Sequence, residues 1–259
     1  MLRCSTQLPD LLRLPLLIIT HHGVDKLTFA ASKPASYGSL ARFTDIHRLR
    51  PFNHRTILGF GGDVSDMQAL DRMLTSLSIR ENYLSQSNAD DATQTEITAE
   101  GSRDSAHDLN ARNLHMYLSK VLYNRRTKLD PLWNVILVAG LDAESEPYLA
   151  SVDLLGTTFT APTLATGFGA HLAQPILRRS VPDEEAVKKL DKETALNLVK
   201  ECMKVLFYRD ARSLDRYSIA TVEKAGEGKG KVELKEDEKL EGQSWKFAEG
   251  IRGYGTQTV

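Results

Sequence analysis

The stretch from Trp133 to Ala139 constrains the fold more than any other part of this chain, because Val135 to Ala139 are all apolar. A half-buried strand alternates apolar and polar side chains, so an unbroken apolar run predicts a strand covered on both faces. Around it, runs of strands are separated by pairs of helices, each with one apolar stripe. Single helices do not alternate with single strands, which argues against a doubly wound parallel sheet. We therefore predict an α+β fold, with two stacked antiparallel sheets between two helix layers.

Periodicity and turn residues predict the individual elements. Asp63 is a good N-cap, and apolar residues recur after it at steps of three and four, which predicts a helix. A second helix is predicted to begin near Asp108 and to end at Asp130. The other predicted elements are a third helix from Gly167 toward Arg178, a fourth over 184–208, and strands at 16–19, 56–62, 148–153, 157–160 and 217–222.

Charge and hydropathy exclude several classes of function. Among the 259 residues, 33 Lys and Arg face 34 Asp and Glu, for a formal net charge of −1. There is no bulk positive field to bind nucleic acid or acidic lipid. The apolar stretch at 11–19 is shorter than the roughly 20 residues that a membrane span needs, and it fits a strand better than a signal peptide. We expect neither a nucleic-acid nor a membrane partner.

The cysteines argue against redox and metal chemistry. Cys4 and Cys202 cannot build a disulfide framework or a cysteine-rich zinc site, and a reducing compartment is the simplest setting. Cys202 lies on the apolar face of a predicted helix, which favours a buried, inert thiol over a nucleophile. We expect no metal and no cofactor.

Two glycine-containing strings resemble functional motifs but fail on inspection. The string from Gly59 to Val64 joins a strand to a helix, yet Val64 stands where a dinucleotide fingerprint requires its third glycine. Asp63 also places negative charge where a pyrophosphate would bind. Cleavage between Gly156 and Thr157 would expose a threonine nucleophile, but this pair lies in mid-chain where a turn is predicted. Both strings are interpreted as structural.

Two segments lack an apolar period. The stretch 85–107 is rich in Asp, Thr, Gln and Ser, which predicts an exposed insertion. The tail from Glu223 is rich in Lys, Glu and Gly through Glu241, which argues against a core element. Aromatic residues then return at Trp245 and Phe247, and such residues are favoured at interfaces.

Longer strings carry more specific information than periodicity. In chain order they are Tyr37–Phe43, Leu58–Asp63, Asp130–Asn134, Val152–Gly156, Ala161–Gly167, Ala173–Pro175, Tyr208–Ser213 and Ile219–Val222. Together they resemble the beta subunits of the proteasome, over roughly residues 35–222. The resemblance implies the N-terminal-nucleophile hydrolase fold, a four-layer αββα sandwich. Residues 1–34 depart from the family pattern, so we expect the first strands to be incomplete, and 223–259 form a C-terminal extension that the resemblance implies is an arm toward an opposing ring.

The resemblance also implies where the catalytic residues of active members lie. There the mature chain begins with a threonine preceded by glycine, an aspartate follows an Ala-Ala pair, and a lysine lies further on. Here Ser32 follows Ala30 and Ala31, Arg48 occupies the lysine position, and no threonine follows a glycine near the start. Arginine stays charged at any working pH and cannot exchange a proton as lysine can.

The last part of the family site is half retained. Asp210 and Ser213 match the family string Asp-x-x-Ser-Gly-Gly, but Leu214 and Asp215 replace the two glycines. We therefore predict no catalytic residues and describe Ser32, Arg48, Asp210 and Ser213 as degenerate active-site positions.

The resemblance implies a non-catalytic ring subunit. Its partners would be other alpha and beta subunits in a hetero-oligomeric double ring, and assembly chaperones, in the cytoplasm and nucleus. Two alternatives stay open. One is a self-processed, catalytically active threonine hydrolase, and the other is a free-standing interaction protein on the same fold.

Overall fold

The structure is a computed structural model that describes residues 17–22, 26–37, 40–91, 109–225, 230–242 and 244. Most of the predicted insertion, Cys4, and the aromatic residues Trp245 and Phe247 of the proposed C-terminal arm lie outside these residues. The elements are β1 Leu17–His22, β2 Lys26–Ser32, β3 Ala35–Tyr37, β4 Leu40–Phe43, β5 Leu49–Asn53, β6 Thr56–Gly62, α1 Val64–Asp91, α2 Ala111–Thr127, β7 Asn134–Leu141, β8 Pro147–Val152, β9 Thr158–Thr160, β10 Thr163–Thr166, α3 Gly169–Ser180, α4 Glu184–Lys189, α5 Lys192–Arg209, β11 Arg216–Lys224 and β12 Gly230–Lys239.

Two five-stranded antiparallel sheets form the centre of the molecule. The first has the strand order β10-β1-β2-β11-β12, and the second has the order β5-β6-β7-β8-β9. A separate two-stranded hairpin joins β3 to β4. Strands that are consecutive in the chain pair throughout the second sheet, so it is the predicted meander with β5 and β9 at its edges.

The side chains of β7 confirm that this strand is covered on both faces. Leu137 and Ala139 pack between the two sheets, against Phe29 of β2. Ile136 and Val138 face the other way, into a cluster with buried residues of α1 and α2. A third cluster joins α3, α4 and α5 to the first sheet. The order of layers is therefore helices, sheet, sheet, helices, as predicted.

Two paired strands form within the segment where the departure from the family pattern predicted incomplete first strands. β1 pairs with β2 from Leu17 to His22 and also pairs with β10, so it lies inside the sheet. Six of the seven β2 side chains are buried. Strand pairing depends on backbone hydrogen bonds and on burial of the correct face, and β2 satisfies both without the family's usual string.

Two of the predicted helices and the tail differ from the sequence predictions. α1 continues to Asp91, so the start of the predicted insertion is helical. The predicted fourth helix is two helices, because Asp191 accepts a hydrogen bond from the backbone N–H of Glu193, 2.7 Å away, and caps the start of α5. The Lys- and Glu-rich tail forms β12, whose Val232 and Leu234 pack against the cluster between the sheets.

Candidate functional site

The four degenerate active-site positions lie on two parts of the chain. Ser32 ends β2, and Arg48 immediately precedes β5. Arg48 Nη2 lies 3.5 Å from the carbonyl oxygen of Pro34, two residues after Ser32. Asp210 and Ser213 lie in the turn between α5 and β11. The pairing of β2 with β11 sets Tyr217 opposite Ser32, so the strand that follows this turn lies beside Ser32.

Arg48 is buried and structural. Its side chain is 1% exposed, and Nη1 donates to the carbonyl oxygen of Gly62 at 3.3 Å. Burial lowers the pKa of Arg48 to about 10, although the negative charge of Asp63 opposes that shift. The guanidinium therefore stays protonated at neutral pH and joins the end of β6 to the chain after β2. It cannot accept a proton there.

Asp210 and Ser213 close the C-terminus of α5. The Asp210 N–H donates to the Leu206 carbonyl at 2.8 Å, and the Asp210 carboxylate accepts from the N–H of Arg212 at 3.0 Å. The Ser213 hydroxyl lies 2.8 Å from the carbonyl oxygen of Asp210 and donates to it. The family string is thus used here as a helix cap, because both side chains satisfy backbone groups at the helix end.

Lys33 is a site residue that the sequence reasoning missed. It follows Ser32, is 1% exposed, and has its ammonium 2.9 Å from Asp45 Oδ1 and 2.6 Å from Asp237 Oδ1. Burial acts to lower the pKa of Lys33, but the hydrogen bonds to Asp237 and Asp45 outweigh it and the pKa is raised. The hydrogen bond that Asp45 accepts from Lys33 also holds the pKa of the Asp45 carboxyl below its usual range. Three distant segments therefore meet at one buried cation.

Asp237 reaches Lys33 because β12 is irregular at that point. The register between β11 and β12 shifts between Tyr217 and Ile219, and Asp237 has a positive φ of 66°. A β-bulge redirects a side chain in this way. The neighbouring Glu236 contacts His47, with Oε1 3.2 Å from Nδ1. The only local signal in the sequence is the alternation of Val232 and Leu234 with charged residues, which is typical of a strand.

The remaining candidates are structural where the structure describes them. Burial raises the pKa of Cys202 to about 12, as expected for an inert thiol. Gly156 and Thr157 form a turn, in which the carboxylate of Asp153 accepts the N–H of Thr157 at 2.8 Å. Within the described ranges, no group of three or more His, Cys, Asp and Glu could hold a metal ion, and no helix is long and apolar enough to cross a membrane.

The two-sheet sandwich agrees with the comparison to known proteins. Residues 18–222 match the family described as "Proteasome subunit". The chain belongs to this family, whose members assemble with other proteasome subunits.

Individual relatives refine the comparison. The chain is 46% identical to "Probable proteasome subunit beta type-7" of Schizosaccharomyces pombe, a match that covers 91% of this chain and 80% of the relative. It is 40% identical to "Proteasome subunit beta type-7" of Saccharomyces cerevisiae, covering 89% of this chain and 79% of that one. It is 41% identical to "Proteasome subunit beta type-4" of Xenopus laevis, with 87% and 81% covered.

Proposed function

We propose that this chain is a non-catalytic beta subunit of the proteasome core particle, which supports ring assembly and thereby ubiquitin-dependent protein degradation. The observation that carries the proposal is Arg48, which stands where active members of the family have lysine. Its guanidinium is buried and bonded to two backbone carbonyls. A threonine nucleophile needs a nearby base, and a permanently charged arginine cannot serve as one.

The other altered positions support the same proposal. Ser32 replaces the family's aspartate and supplies no carboxylate, and the cation beside it, Lys33, is held by two carboxylates. The hydroxyl of Ser213 is committed to the end of α5. The Lys33 ammonium and the Ser213 hydroxyl are therefore both engaged in contacts within the fold.

The proposed partners are the other alpha and beta subunits of a double ring. Membership of the family supports assembly with other subunits. Assembly chaperones as further partners, and a location in the cytoplasm and nucleus, rest on the resemblance of the sequence alone.

Native affinity purification tests the proposal. A tagged chain expressed in cells should co-purify with alpha and beta subunits and sediment with them as one particle. A chain that sediments alone would favour the free-standing interaction protein. The intact mass of the purified tagged chain should show no new N-terminal threonine, whereas self-processing to an active hydrolase would leave threonine as the first residue.

A peptide-hydrolysis assay tests the absence of catalysis separately. The purified chain should not hydrolyse fluorogenic peptides, and the double variant Ser32→Asp, Arg48→Lys should gain no activity, because two restored side chains do not supply a nucleophile. Turnover that a threonine-directed inhibitor blocks and a threonine substitution abolishes would overturn the proposal.

A further inference from the structure

The outer edge of β9 is a short strand edge that offers unpaired backbone groups. The N–H of Asp153 donates to the carbonyl of Thr157 at 3.1 Å, and the register then pairs Val152 with Thr158. Hydrogen-bonded pairs alternate along an antiparallel ladder. It follows that the backbone N–H and C=O groups of Phe159 bond inward to β8, while those of Thr158 and Thr160 point outward. No strand among the described residues pairs with this edge.

A cavity of about 500 Å³ adjoins this edge at Thr160. The buried side chains of Leu149 and Val187 give it an apolar floor. Phe159, on the opposite face of the strand from Thr160, is 57% exposed. The site therefore combines a backbone edge, a side-chain cavity and an exposed aromatic ring, which are the features that recognise an extended peptide.

The charges lining the cavity indicate what would enter it. Arg112 is already engaged, with Nη2 3.2 Å from Asp142 Oδ2 and its guanidinium 4.9 Å from the centroid of the Tyr148 ring. The other charged lining residues are Glu146, Glu184 and Lys188. Two carboxylates against one ammonium leave an excess of negative charge, which favours a cationic side chain.

We propose that this edge and cavity receive an extended segment of a neighbouring proteasome subunit. The segment pairs its backbone with Thr158 and Thr160, and one of its Lys or Arg side chains enters the cavity beside Glu146 and Glu184. The contact protects the exposed strand edge and covers Phe159. This inference rests on the proposed function, because it requires the chain to have neighbours in a particle.

Matched variants test the two parts of this contact. In Glu146→Lys, Glu184→Lys, the cavity becomes positive, and we expect the fraction of tagged chain in the particle to fall at least about tenfold from like-charge repulsion. The control Glu144→Lys, Glu185→Lys makes the same charge change at exposed neighbours that do not line the cavity. Thr160→Pro removes an outward N–H without affecting the inner ladder, so it should also lower the fraction of tagged chain in the particle. Thr160→Val keeps that N–H and is the control for this part.

A cross-link keeps the test valid where a variant assembles poorly for another reason. A photoreactive phenylalanine analogue at position 159 should cross-link, within the purified particle, to a segment of another subunit that contains Lys or Arg. A chain that carries the analogue and enters the particle but gives no such cross-link overturns this inference alone. If the cavity variant and its control enter the particle in equal fractions, this inference alone is also overturned. A wild-type chain that enters no particle overturns the proposed function, and this inference with it.

Discussion

Lys33 and Asp237 lie 204 residues apart in the sequence, yet the Lys33 ammonium is 2.6 Å from the Asp237 carboxylate. The lysine side chain is almost completely buried, whereas the aspartate side chain is 63% exposed. This asymmetry determines how the contact contributes to stability. A carboxylate that loses its partner at the surface is solvated by water, whereas a buried ammonium that loses its partners is not.

The first prediction follows from that asymmetry. Lys33→Met should lower the free energy of unfolding by only about 1 kcal/mol, because it removes the buried charge together with its pairing. Asp45→Asn, Asp237→Asn should cost clearly more, because it leaves the ammonium buried without an anion. Urea denaturation of the purified variants measures both. If Lys33→Met lowers the free energy of unfolding more than the double variant does, the contacts of Lys33 with Asp45 and Asp237 stabilise the fold in some other way.

The second prediction concerns Gly62, whose carbonyl accepts a hydrogen bond from Arg48. Gly62 has a φ of 100°, and a Cβ there would lie 2.1 Å from the carbonyl oxygen of Trp133. Gly62→Ala should therefore cost about 3 kcal/mol or more, from backbone strain and overlap together.

Gly242 is the matched control for Gly62. Its φ of 65° is also positive, but a Cβ there would have as its nearest neighbour the Lys204 ammonium nitrogen, 3.6 Å away. Gly242→Ala should cost only about 1 kcal/mol. Thermal unfolding compares the two, and equal losses would show that overlap with Trp133 is unimportant.

The third prediction is a pH dependence of stability from His115. This side chain is buried, its Nδ1 accepts the hydroxyl of Tyr148 at 2.8 Å, and its Nε2 lies 3.3 Å from the carbonyl oxygen of Ser151. Burial lowers the pKa of His115 below its ordinary value of 6.5, although the bond to Ser151 opposes this.

The sign of the effect follows from linkage. The unfolded chain binds a proton at His115 near its ordinary pKa, while the folded chain does not, so acidification favours unfolding. The contribution of His115 to stability is present above pH 6.5 and is lost as the pH falls below it. Unfolding free energies measured between pH 8 and pH 5 should fall less steeply for His115→Gln than for the wild type, and equal slopes would contradict this assignment.

The fourth prediction separates the structural role of Arg48 from catalysis. Arg48→Met removes the donors to the carbonyls of Gly62 and Pro34 and should cost about 2 kcal/mol, since buried acceptors lose their partners. Peptide turnover per assembled particle should not change. Turnover that falls while the amount of particle is constant would give Arg48 a part in the chemistry.

Much of the architecture could be predicted from the sequence because its signals are local. The covered strand β7 was recognisable from five consecutive apolar residues, and the helices from the spacing of their apolar stripes. The prediction that Ser32 and Arg48 do not take part in catalysis also needs no tertiary structure, because the proton-transfer capacity of a side chain is a property of its type. Such features need only neighbours in the chain, or a family pattern, to be recognised.

Only the tertiary structure decided the contacts of β12 and the pairing of the first strands. The Lys- and Glu-rich tail becomes a strand because β11 supplies hydrogen-bonding partners, and its bulge determines which acidic residue reaches Lys33. β1 lies inside the sheet because β10 and β2 pair with it from both sides. The physical reason is the same in each case: the stabilising partner lies far away in the chain, and its register and twist are not encoded in the segment that it stabilises.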